Sequence, residues 1–161
     1  MNDTIFMKVT DLEGSATAKG YEKQIGVLSM SHGMNLNCYS GGGTEGRTSG
    51  VSNHSDISVT KQMDKNSVKF NEWCCNAHLV KDIVITICRQ EGDKMEPLVV
   101  YTLGDSIVSS YNVSAGGGNP TESITFNYAR IKWEFTEQDT KGAKSGNVSA
   151  TWDLQLNTPQ A

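Results

Sequence analysis

At 161 residues, with 37% apolar side chains and a net charge of −4, the chain is long enough for one domain that buries roughly 68–70% of the surface its unfolded form exposes. Its 14 Lys and Arg residues form no cluster, which excludes the electrostatic footprint of a nucleic-acid binder, and no apolar run reaches the length of a membrane span. Neither a nucleic-acid nor a membrane partner is expected.

The opening MNDTIFMKVTDLEGS lacks a basic segment followed by an apolar stretch, so synthesis and folding are expected in the cytosol. In that reducing compartment the four cysteines, Cys38, Cys74, Cys75 and Cys88, read as free thiols acting as small apolar residues. Thr4 to Val9 is a first strand with Ile5, Met7 and Val9 on one side, followed by a polar loop to Gln24. A second long strand, Ile25 to Asn37, carries Ile25 and Val27, then Leu28, Met30, Met34 and Leu36, so its apolar phase slips by one residue. From Tyr39 to Asn53 the sequence YSGGGTEGRTSGVSN offers five glycines and almost nothing to bury, and it reads as a long loop.

Ser55 to Met63 alternates as a strand. Ile57, Val59 and Met63 share one face, interrupted by Lys61, while Ser58, Thr60 and Gln62 share the other. That polar face suits either a solvated outer surface or the lining of a water-filled passage. A helix is predicted from the N-cap Ser67 to near His78, with Phe70, Trp73, Cys74 and Ala77 as one stripe covering an opening or flank of the sheet. Asp82 to Arg89 and Met95 to Leu103 flank a hairpin turn at 91–94, Ile107 to Val113 is another strand, and GGGNP at 116–120 turns the chain again.

The most informative stretch is Pro120 to Gln138. Ile124, Phe126 and Tyr128 alternate on even positions, whereas Ile131, Trp133 and Phe135 alternate on odd ones. Such a phase change is what a β-bulge near Ala129 and Arg130 would produce, letting one strand serve two sheets, with Trp133 as a core anchor. Trp152, Leu154 and Leu156 close the pattern as a last strand. The fold class is therefore mostly β: a small, nearly closed barrel of eight or nine bent strands with one α-helix and a long glycine-rich loop. It forms a single domain over 1–161.

Catalysis needs a nucleophile with its base, or a metal cluster. His32, His54 and His78 are far apart in sequence and in no metal or hydrolase motif; His54 and Asp56 could share a strand face, an arrangement that more simply holds structure. Cys74 lies on the apolar stripe of the helix, and no phosphate-loop or dinucleotide fingerprint occurs. No catalytic residue, metal ligand or cofactor is expected.

His54-Ser55-Asp56, Lys61-Gln62-Met63-Asp64, the helix Phe70 to Cys75, Ile107-Val108-Ser109-Ser110, Pro120-Thr121-Glu122 and Tyr128-Ala129 to Phe135 resemble, in order and spacing, the haemolysin-coregulated protein (Hcp) family. Val68 after Ser67 and Met30 in the second strand depart from the residues frequent there, Pro and Trp. The resemblance implies the tube subunit of a bacterial type VI secretion system, with a fold similar to phage tail-tube proteins. It further implies hexameric rings stacked into a hollow tube, a contractile sheath, a trimeric spike protein, effector proteins in the lumen, and export without a signal peptide. On that reading Gly41, Gly42, Gly43, Thr44, Glu45, Gly46 and Arg47 form a ring-stacking loop, and Ser58, Thr60 and Gln62 are candidates to line the lumen. The alternative from another class is a monomeric carbohydrate-binding β-sandwich using Tyr39 or Tyr111.

Overall fold

The computed structural model describes residues 4–39, 46, 48–139 and 141–159, Thr48 by its backbone only. In chain order the elements are β1 (Ile5–Val9), β2 (Ile25–Val27), β3 (Ser29–Ser31), β4 (Met34–Tyr39), β5 (Thr48–His54), β6 (Ile57–Gln62), α1 (Ser67–Asn76), β7 (Val80–Glu91), β8 (Lys94–Ser114), β9 (Thr121–Gln138) and β10 (Lys144–Asp153). The main sheet runs β2-β1-β7-β8-β9-β6-β3, all antiparallel where paired, with β10 added to β9. Because β2 and β3 are separated only by Leu28, the two ends of this sheet are halves of one bent strand. Leu28 already donates its N–H to Thr60 O of β6 at 2.8 Å. The sheet thus closes on itself at the residue where the apolar phase slips.

β9 serves two partners on one edge, but within one sheet rather than the two sheets expected from its phase change. β8 runs along its other edge from Ser114↔Thr121 to Val99↔Phe135, while the shared edge pairs with β6 up to Phe126 and with β10 from Arg130 onward. Glu122, Ile124, Phe126 and Tyr128 are buried on even positions, and Ile131 on an odd one. The expected bulge at Ala129 and Arg130 is not how the turn of phase is made. The β8–β9 register is unbroken from Leu103↔Ile131 to Val108↔Phe126, so no residue is inserted there. Opposite Ala129, Asp105 of β8 adopts φ 49, a left-handed conformation that twists the ribbon, and its carboxylate holds Arg130 at 2.7 Å. The register shift lies instead in β8, between Val108 and Ser110.

Three other boundaries differ from expectation. Met95 to Leu103 and Ile107 to Val113 are one strand of 21 residues, since antiparallel partners on both sides carry the chain across Gly104 and Asp105. The last strand ends at Asp153, whose Oδ1 accepts the amides of Gln155 (2.9 Å) and Leu156 (2.8 Å), folding the chain into a turn that leaves Leu156 exposed. Most consequentially, the stretch read as a loop from Tyr39 to Asn53 ends in a strand: β5 pairs with β4 from Met34↔His54 to Tyr39↔Thr48. Strand pairing satisfies the backbone there regardless of the low apolar content. The turn at Gly92 and Asp93 is found as predicted, with φ 61 at Gly92.

The core joins both sheet faces of the barrel interior to α1. Phe70 meets Phe126 and Trp73 edge-on at 6.1 and 5.9 Å, and full burial of a ring of this size is worth about 1.5–3 kcal/mol. The cap is Asn66 rather than Ser67; the Ser67 hydroxyl accepts the Asp64 amide at 2.9 Å, and the Asn66 side chain donates to Glu13 O at 3.0 Å. Ala77, expected on the stripe, is exposed as the left-handed C-cap. Trp133 is half-buried, packed against the core rather than within it. Of the thiols, Cys88 is buried, Cys74 half-buried, and Cys38 and Cys75 exposed, so only the first two act as packing.

Candidate functional site

Strand alternation puts Ile57, Val59 and Lys61 of β6 inward and Ser58, Thr60 and Gln62 on the opposite face; Ser58 and Thr60 are half-buried and Gln62 exposed. Directly opposite them on β9 stand Thr125, Ser123 and Thr121, and on β3 Ser31 and Ser29 face Ser58 and Thr60. β8 continues the row with Ser110, Asn112 and Ser114. Four neighbouring strands therefore present one continuous face of uncharged hydroxyls and amides, with Ser58 and Ser123 hydroxyls 3.4 Å apart. Sequence reasoning found the β6 row and missed the rest, although Thr121, Ser123 and Thr125 alternate as plainly.

Lys61, which breaks the alternation of β6 in sequence, does not break it in space. It is fully buried, directly opposite the buried Glu122, with which it forms an ion pair. Its Nζ also reaches Asp64 Oδ1 at 3.0 Å and donates to Gln62 O at 3.1 Å. Tyr111 donates its hydroxyl to Glu122 Oε2, and burial together with that bond pushes the phenol up to about 12. A buried charge is tolerated when paired and hydrogen-bonded in this way. Tyr111 is thereby tied down, whereas Tyr39 is exposed at the end of β4.

Among the described residues the β4–β5 arm has no strand partner outside itself. Every residue of β4 is exposed, and Leu36, Tyr39 and Val51 are 49%, 66% and 67% exposed. A two-stranded hairpin of this kind is marginally stable in water alone. Of the proposed stacking residues, Gly46 is exposed; Gly41, Gly42, Gly43, Thr44, Glu45 and Arg47 lie outside the described residues.

At the root of the arm, His32 Nε2 lies 2.6 Å and His54 Nδ1 3.4 Å from the hydroxyl of Tyr128. Burial lowers both imidazoles below the usual histidine value, His54 adding to the effect on His32, and burial raises the Tyr128 phenol. The expected pairing of His54 with Asp56 does not form. Asp56 instead accepts Ser109 Oγ at 2.6 Å and Asn127 Nδ2 at 2.9 Å, closing one end of the hydroxyl face. Among the described residues no cluster of three metal-ligating side chains occurs, and no helix is long and apolar enough to cross a membrane.

A nearly closed antiparallel sheet with one flanking helix, a polar face and a projecting arm defines a mostly β, barrel-like domain. The chain belongs to the Hcp family: the model of that family, described as type VI secretion system effector, Hcp, matches residues 6–135. Protein hcp1 of Pseudomonas aeruginosa strain PAO1 is 29% identical over 156 residues, covering 95% of this chain and 96% of that protein. The solved structure of a type six secretion system protein superposes with a TM-score of 0.91 at 31% identity, over 99% of this chain and 100% of the other. Hcp1 from Salmonella typhimurium shares the fold at 16% identity, with a TM-score of 0.76 over 97% of each chain.

Proposed function

We propose that this type VI secretion protein is the tube subunit: copies close into hexameric rings, the rings stack into a hollow tube, and a contractile sheath expels that tube behind a trimeric spike protein. The uncharged hydroxyl face lines the lumen, where effector proteins ride, and the β4–β5 arm reaches a neighbouring copy. The observation that carries this reading is the arm, because a hairpin that leaves Leu36, Tyr39 and Val51 in water needs a surface outside its own chain to hold it. A face made mostly of neutral hydroxyls and amides holds passing cargo without binding it tightly by electrostatics. No catalytic role is assigned.

Light scattering coupled to gel filtration tests the assembly. The expected mass is near six times the 17.5 kDa of one chain. A monomer at micromolar concentration overturns the reading, and a monomer that also retains sugars on Tyr39 would favour the carbohydrate-binding alternative.

A further inference from the structure

The arm joins the barrel at two points, just after His32 and just before Ser55, where Ser55 N donates to Gly33 O at 2.9 Å. Each point carries a histidine, and both imidazoles converge on the single hydroxyl of Tyr128 in β9. The two ring nitrogens consequently lie at most 6 Å apart. A phenol has one proton and two lone pairs. With both histidines neutral, Tyr128 donates along the short 2.6 Å bond to His32 Nε2 and accepts Nδ1–H of His54. This proton assignment satisfies all three groups, as does its mirror image, in which His32 donates and His54 accepts.

One added proton can be absorbed. If His32 is charged, its Nε2–H donates to the phenol oxygen, and Tyr128 redirects its own proton to Ser55 O, 3.3 Å away. Two added protons cannot be absorbed so easily, since two half-buried imidazolium groups would then face one oxygen. Among the described residues no carboxylate is bonded to either imidazole. Tyr101 of β8 meets His32 edge-on at 5.9 Å, Trp133 of β9 stacks on His54 at 6.3 Å, and Ser52 of β5 lies 3.3 Å from His54 Nε2. The charge of Asp56 bears on Tyr128, but its oxygens accept from the neutral Ser109 and Asn127 and bond to neither ring.

We propose that the His32–Tyr128–His54 cluster is a proton-operated hinge that fixes the β4–β5 arm to the barrel when both imidazoles are neutral and frees it when both are charged. Since the folded environment lowers both pKa values, docking is complete above the ordinary histidine value of about 6.5 and is lost as pH falls below it. The hinge does not depend on what the arm touches.

Hydrogen–deuterium exchange of peptides spanning Met34–Tyr39 and Thr48–His54 tests this at pH 7.5 and 5.0, in the unaltered chain and in His32→Gln/His54→Gln, compared at equal pH so that intrinsic rates cancel. At pH 5.0 the unaltered arm is expected to exchange about tenfold faster than the double variant's, with β7 and β8 peptides alike in both. Equal arm exchange at pH 5.0 overturns the hinge. Should the double variant not fold, proton NMR titration of the unaltered chain decides: two coupled transitions below the ordinary histidine value support the hinge, and two independent ones at that value overturn it. Solution mass is recorded on the same samples; a monomer at both pH values counts against the ring assembly and leaves the exchange comparison intact.

Discussion

Lys61 of β6 stands directly opposite Glu122 of β9, neither in contact with solvent, and the ion pair between them fastens β9 to the strand that leads into α1. Removing one partner leaves the other charge buried. Lys61→Met and Glu122→Leu are therefore each expected to cost about 3–5 kcal/mol in denaturant unfolding at fixed protein concentration, while the double variant recovers most of that loss. Two single losses that simply add in the double variant would show that the charges do not act as a pair.

Ser106 of β8 offers the opposite case. It is fully buried and its hydroxyl has no hydrogen-bond partner among the described residues. Ser106→Ala is expected to be neutral to about 1 kcal/mol stabilising, because it removes a desolvated hydroxyl and leaves almost no cavity. A loss beyond about 1 kcal/mol in the same unfolding measurement would mean that the hydroxyl is bonded in solution.

Thiol reactivity separates the cysteines. Cys38 and Cys75 are exposed and are expected to react with a disulfide reagent within minutes in the native protein. Cys88 is buried, its thiol is pushed up by burial, and it shares a hydrogen bond with Tyr21, so it is expected to react only on unfolding. Fast native labelling of Cys88 would place β7 at a frayed edge.

Replacing residues 41–47 by a two-residue turn keeps both strands of the arm. On the tube reading the shortened protein still runs near six times the chain mass but no longer reaches the culture medium. Normal secretion would make the glycine-rich stretch a tolerated insertion; a monomer would assign it to contacts within one ring.

Much of the barrel could be read from period-two patterning, because a strand that buries one face must alternate. Ile124 to Phe135 announced one long strand, though not that it stays within a single sheet without a bulge, and the slip near Val27 and Leu28 announced the closing bend. What stayed hidden depends on partners remote in sequence. Lys61 looked like an interruption since nothing local reveals Glu122 across the sheet. The three groups at the arm's root come together over separations of 96 and 74 residues. β5 was missed for a different reason: Gly50, Ser49 and Ser52 carry no burial signal, and only main-chain pairing with β4 makes it a strand.

The hand-off along β9 also sets an order of events during synthesis. β6 finds no partner on its β9 side until residues 121–126 have been made, about two fifths of the chain later, and the hydroxyl face is incomplete until the same moment. Such distant pairing delays closure relative to the local β7–β8 hairpin. On the tube reading, a nascent chain on the ribosome therefore has no finished surface to offer a neighbour, and assembly begins only with subunits that have closed.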